Sequence, residues 1–68
     1  MITYEKLYET MDAKGISTYT LITMYHVSKG QLDRLRHNKS VTMHTIDMLC
    51  EILDCRVEDI MTYHKNEK

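Results

Sequence analysis

The segment from Ser17 to Arg36, STYTLITMYHVSKGQLDRLR, contains two short amphipathic stretches with very little chain between them. Apolar residues recur at helical spacing in both stretches, so each predicts a helix with one apolar stripe and one polar face. These apolar positions are Leu21, Ile22, Tyr25, Leu32 and Leu35. The connection around His26 is too short for a strand crossover and fits a sharp corner between two steeply crossing helices. The segment therefore predicts a helix-turn-helix unit.

The ends of these helices are marked by residues that commonly begin or stop a helix. Ser28 is typical of an N-cap, since its hydroxyl can accept from backbone N–H groups two or three residues later. Ser17 or Thr18 is expected to cap the preceding helix, and Thr3 the first one. Gly15 is expected to stop that first helix in a left-handed conformation.

The rest of the chain also shows a helical period and no strand pattern. We predict an all-α fold in a single domain, residues 1–68, with helices at about 4–14, 18–25, 28–37 and 43–54. Leu49 should lie at the centre of the fourth helix and Leu32 on the inner face of the third, so both are expected to be buried. The polar segment 38–42 between them is predicted to be a loop.

This pattern resembles the phage-repressor family of helix-turn-helix regulators, the lambda-repressor and Cro class often called Xre-type. Counting from Thr18, five positions that are apolar in the family's motif are apolar here: Leu21, Tyr25, Val27, Leu32 and Leu35. Two positions depart from the pattern, because Ile22 stands where alanine is usual and His26 where glycine is usual. Histidine enters the positive-φ region more readily than most residues, so we predict positive φ at His26. The resemblance covers roughly residues 4–60 and implies a compact five-helix, lambda-repressor-like DNA-binding domain, in which a short fifth helix at about 57–63 follows the fourth.

The charge of the chain is distributed unevenly. The formal net charge of −1 argues against a nucleic-acid partner, because phosphate binding depends on Lys and Arg. However, residues 26–44 contain four basic side chains against one acidic one, whereas residues 45–60 contain five acidic side chains against one basic one. The positive charge is therefore concentrated where the motif would meet DNA.

The resemblance implies which residues of the third helix would contact DNA. The positions of Lys29, Gly30 and Arg34 would reach base edges in the major groove, and Arg and Lys suit guanine O6 and N7. Candidate phosphate contacts are Thr18, Ser28, Gln31, His37 and Lys39. Asp33 on the same face would repel phosphate unless it pairs with Lys29 or His37. The alternative is that these residues form a solvent-exposed basic face with no role in DNA binding.

Other functions find less support in the sequence. Cys50, Cys55, His44 and His64 invite a metal hypothesis, but Cys50 falls on a core stripe and free cysteine is often a small buried apolar residue. No nucleophile and base are grouped as hydrolysis requires. We therefore expect no metal, no cofactor and no enzymatic activity. The unpaired cysteines and the lack of a signal or a long apolar run predict a cytoplasmic protein with no membrane association.

The surface beyond the main stripes leaves the oligomeric state open. The sequence supports two possibilities equally for a further set of apolar side chains, which could form a homodimer interface or add to the core. These side chains are Met48, Ile52, Met61 and Tyr63. A dimer would read a pseudo-palindromic operator in double-stranded DNA. The leading hypothesis is a small sequence-specific transcriptional repressor. The alternative is a protein-interaction module of the same fold, such as an antirepressor or antitoxin, that has lost DNA readout.

Overall fold

Four α-helices and a two-stranded sheet make up the computed structural model, which describes residues 1–65. In chain order the elements are β1 (Ile2–Thr3), α1 (Glu5–Lys14), α2 (Thr18–Thr23), α3 (Lys29–Arg36), α4 (Met43–Leu53), a 3₁₀ turn (Val57–Asp59) and β2 (Thr62–Tyr63). None of the described helices is long and apolar enough to cross a membrane.

The prediction of a fifth helix over residues 57–63 is wrong. The segment begins with one 3₁₀ turn, in which the Arg56 N–H donates to the Asp59 carboxylate at 3.1 Å, and continues as β2. β2 pairs antiparallel with β1, so that Ile2 faces Tyr63. Strands of two residues are too short to show an alternating pattern, and their pairing joins opposite ends of the chain. For both reasons the sheet has no local signal in the sequence.

The helix ends follow local chemistry closely. Ser17 Oγ accepts from Thr20 N at 3.1 Å, and Ser28 Oγ accepts from Gln31 N at 3.4 Å, which confirms both as N-caps. Gly15 ends α1 with φ of 69°, as predicted. The expected Thr3 cap is wrong, because α1 begins one residue later with Tyr4 at the N-cap position and without a capping side chain.

The core is built from leucine and isoleucine contributed by every helix. Its fully buried side chains are Leu7, Leu21, Leu35, Leu49, Leu53 and Ile60. Leu32 is 6% exposed and Leu49 is completely buried, which confirms the phase assigned to α3 and α4. Tyr25, one of the apolar positions of the predicted second helix, is 41% exposed. The core therefore fixes α3 with its polar face turned outward.

Candidate nucleic-acid interface

The turn between α2 and α3 has the conformation expected of a helix-turn-helix. His26 has φ of 57°, which confirms the prediction for this position. Val27 is buried beneath the turn, and its N–H donates to Leu21 O at 2.9 Å. Ile22, the larger residue at the alanine position, is half-buried and packs against the core. The turn is therefore anchored on the inside while His26 remains exposed.

The outward face of α3 carries most of the candidate contacts. Lys29, Gly30, Arg34 and His37 are all exposed, whereas Leu32 and Leu35 are buried, and His37 is the C-cap residue that follows α3. A Cβ atom built on Gly30 would meet only Ser28 Oγ, at the ordinary contact distance of 3.5 Å. Packing within the protein therefore does not require glycine here.

Thr18 is brought to the same side of the molecule as the start of α3. It is half-buried, and with Lys29, Asp33 and Arg36 it lines a cleft of about 310 Å³ between α2 and α3. Ser28 is exposed at the N-terminus of α3, where backbone N–H groups favour an anion. The fold thus gathers the residues proposed for α2 and for the start of α3.

Arg34 has a partner that the sequence did not indicate. Its Nε donates to the carbonyl oxygen of Ser40, in the loop that follows α3. An arginine has five N–H donors in a planar fork, so the two Nη groups remain as the end of the side chain that can meet a ligand. Arg34 therefore connects the outward face of α3 to the loop.

Gln31 is half-buried, and its side chain links α3 to the end of the loop and the start of α4. Its Oε1 accepts from Thr42 N at 3.0 Å and from Thr45 Oγ1 at 3.1 Å, which ties α3 to the start of α4. The amide oxygen is thereby committed to the protein. Since the NH₂ group is the donor half of the amide, it is the half suited to a phosphate oxygen.

Asp33 does pair with His37, one of the two partners considered for it. His37 Nδ1 lies 3.6 Å from Asp33 Oδ1 and 2.9 Å from the Asp33 carbonyl oxygen. This arrangement leaves the second ring nitrogen of His37 directed away from the helix backbone. The one acidic side chain on this face is therefore offset locally when His37 is protonated.

The basic side chains of this region are not consumed by ion pairs. Within residues 1–65, the ion pairs within 4.0 Å are His37 with Asp33, Arg56 with Glu58 and His64 with Glu5. Lys29, Arg34, Arg36 and Lys39 therefore present unneutralised positive charge around α3. Such charge is what a phosphate backbone attracts.

The loop from Asn38 to Thr42 holds Lys39, whose side chain is exposed. Asn38 has φ of 55°, and its Oδ1 accepts from Tyr4 N at 3.1 Å. The Tyr4 hydroxyl donates to Lys39 O at 2.9 Å. The sequence did not indicate this role of Tyr4, because a contact across 35 residues leaves no local sequence signal.

The cysteines do not form part of a metal site in the described residues. No group of three potential ligands is found there, and Cys50 and Cys55 are both half-buried. Burial raises the pKa of each thiol above its usual value, so the neutral form is favoured at neutral pH.

The comparisons with known proteins agree with this geometry. The family model described as a Cro/C1-type helix-turn-helix DNA-binding domain matches residues 6–66. Among solved structures, the crystal structure of the transcriptional regulator VanUg superposes with a TM-score of 0.82 at 26% sequence identity, covering 90% of this chain and 81% of that chain. No curated protein matches the sequence significantly.

Proposed function

Because the chain belongs to the Cro/C1-type helix-turn-helix DNA-binding family, we propose that it is a transcriptional regulator that reads a specific duplex with the outward face of α3. The proposal rests on the basic surface around the exposed face of α3, whose Lys and Arg side chains form no ion pair among residues 1–65. The likeness to VanUg, itself named a transcriptional regulator, supports the same role.

We propose that Lys29 and Arg34 read base edges in the major groove. Both are exposed on α3, and guanine O6 and N7 accept hydrogen bonds from such side chains. Gly30 between them allows close approach of the helix to the base pairs. The hydrogen bond from Arg34 Nε to Ser40 O restricts the conformations of the arginine side chain. Less conformational entropy is therefore lost when the side chain contacts DNA.

The remaining site residues are proposed to contact phosphates on either side of the groove. Their hydroxyl, amide, imidazole and ammonium groups are all donors suited to phosphate oxygens: Thr18, Ser28, Gln31, His37 and Lys39. These contacts orient the domain and carry no sequence information of their own. We propose repression as the outcome of such binding, because an occupied operator is closed to other proteins. DNA as the partner also implies a cytoplasmic site of action.

We further propose that two copies bind a pseudo-palindromic operator. Of the four side chains considered for an interface, Met48, Ile52 and Met61 are half-buried against the core, whereas Tyr63 is 68% exposed. A different set of apolar side chains is exposed around a cleft of about 550 Å³ beside the loop after α3: Met1, Ile2, Met43 and Val57. An apolar patch of this kind favours pairing. Met43→Glu is expected to weaken binding to a full operator more than binding to a half-site.

Two observations favour a second function, that of a protein-interaction module without DNA readout. Gly30 offers no reading side chain in the centre of the face, and the chain has a formal net charge of −1. Such a module would bind its partner protein and would show no affinity for duplex DNA at low salt.

Selection from random duplexes followed by a salt titration tests the proposal. The regulator is expected to enrich a defined sequence, and log K should fall linearly with log[salt], with a slope of about −0.9 for each phosphate contacted. Lys29→Ala should reduce affinity for the selected duplex. Lys6→Ala, which removes the same charge beside the 3₁₀ turn, is the matched control and should have little effect. No enrichment at low salt would favour the interaction module.

A further inference from the structure

The loop from Asn38 to Thr42 is held from two sides by side chains of other elements. Arg34 and Gln31 of α3 bind Ser40 O and Thr42 N, as described above. On the other side, the Tyr4 N–H donates to the Asn38 side chain and the Tyr4 hydroxyl donates to Lys39 O. The loop is therefore arranged before any ligand arrives.

Tyr4 is the one member of this set that lies outside the helix-turn-helix. It stands at the N-cap position of α1 and is only 5% exposed, so its ring is fixed in the core. Its hydroxyl reaches Lys39 O at 2.9 Å, and its N–H reaches Asn38 Oδ1 at 3.1 Å. Two consecutive loop residues are thus fastened to one rigid residue.

We propose that Tyr4 is a positioning residue for DNA binding, which holds the backbone of Lys39 so that its ammonium group meets the phosphate backbone. The inference rests on the proposed function. Lys39 lies next to Asn38, a non-glycine residue with φ of 55° that needs support from its surroundings. Without the hydroxyl of Tyr4, the loop would have to be ordered at the moment of binding, and that ordering opposes binding.

The proposal predicts a particular signature. A phosphate contact carries no sequence information, so loss of the Tyr4 hydroxyl should weaken all duplexes alike. A change at Arg34 should instead alter the preference for a base pair. The effect of Tyr4 should also depend on the side chain of Lys39, because Tyr4 acts only through that residue.

The test uses Tyr4→Phe, which keeps the ring and removes only the hydroxyl. Tyr8→Phe is the matched control, since Tyr8 lies on α1, is 37% exposed and has no hydroxyl hydrogen bond among residues 1–65. Affinities are measured by fluorescence anisotropy for the selected duplex and a scrambled one, well below the melting temperature of each variant. Tyr4→Phe is expected to weaken both about three- to tenfold, as for one ordinary hydrogen bond, while Tyr8→Phe leaves both unchanged.

A double-mutant cycle with Lys39→Ala separates positioning from general loosening of the fold. In the Lys39→Ala background the Tyr4→Phe effect is expected to fall below about twofold, whereas independent effects would multiply. Asn38→Gly, which suits the positive φ and removes the other Tyr4 partner, should repeat the uniform loss.

Three results would overturn the assignment of Tyr4. These are an unchanged affinity for Tyr4→Phe, a loss that persists in full without the Lys39 side chain, and a loss confined to the selected duplex. Failure of the wild-type protein to bind any duplex would overturn the proposed function together with this role. Wild-type binding with an unaffected Tyr4→Phe variant would overturn the role of Tyr4 alone.

Discussion

Replacement of His26 by glycine should leave the free energy of unfolding unchanged or raise it. His26 has φ of 57° and an exposed side chain, so little packing is lost with the imidazole. The left-handed conformation costs a residue with a Cβ about 1–2 kcal/mol. Glycine removes that cost, but it also makes the unfolded chain more flexible, which lowers the free energy of unfolding by about 0.4–1 kcal/mol. The net expectation is a gain between zero and about 1.5 kcal/mol.

His26→Val supplies the opposite perturbation at the same position. A β-branched residue is strongly disfavoured at positive φ, so the variant should lose at least about 1 kcal/mol. Asp54→Gly is a matched control for the glycine change, because Asp54 is also exposed and has φ of 49° at the end of α4. It should show a gain of the same sign as His26→Gly.

Urea denaturation followed by circular dichroism measures all three variants. For a domain of this size, about 1 kcal/mol corresponds to a shift of roughly 4–8 °C in Tm, so thermal unfolding checks the same values. A loss of more than about 0.5 kcal/mol in His26→Gly would contradict the left-handed conformation at this position. Full stability in His26→Val would refute it equally, since the turn would then not need the left-handed conformation.

Three further predictions concern the core, the thiols and the chain ends. Leu49→Ala, at a completely buried position, should cost about 2–5 kcal/mol in urea denaturation; a loss under about 0.5 kcal/mol would show that α4 packs differently. Burial raises the pKa of Cys50 and Cys55, so alkylation by iodoacetamide at pH 7.5 should be slower than for a cysteine peptide and should accelerate on unfolding; equal rates would contradict the burial. Hydrogen bonds from Thr3 and then His64 lower the pKa of Glu5 below 4.5, so its contribution to stability is present above that value and is lost as pH falls through the lowered pKa. Glu5→Gln should therefore flatten the acid limb of the stability profile, and an unchanged limb would show that these contacts do not stabilise the fold.

Local features of the fold could be predicted from the sequence because their causes lie within a few residues. Ser17 and Ser28 cap helices through backbone groups three residues later, and Gly15 and His26 take their conformations from the turns they occupy. The apolar period placed Leu49 in the core for the same reason. The inferences for the two serine caps, Gly15 and Leu49 required only chemistry near the residue itself, whereas the positive φ of His26 was expected from the place of this residue in the family's motif.

Contacts between distant parts of the chain could not be predicted in this way. The pairing of Ile2 with Tyr63 replaced the expected fifth helix, and nothing near either residue indicates the other. The same holds for the Tyr4 hydroxyl on Lys39 O. The resemblance to the helix-turn-helix family supplied the candidate DNA contacts, and it did not indicate that Arg34 also donates a hydrogen bond to the loop.

The proposed reading of DNA sequence by α3 is tested by the affinity of Arg34→Ala for the selected duplex and for single-base-pair variants of it. The loss on the selected duplex should be about 1–3 kcal/mol, with relaxed preference at one base pair. Some loss on every duplex is expected too, because Arg34 also holds the loop. Lys39→Ala should weaken all duplexes alike without relaxing any preference. An Arg34→Ala variant that stays folded and keeps the wild-type affinity and base preferences would contradict the claim.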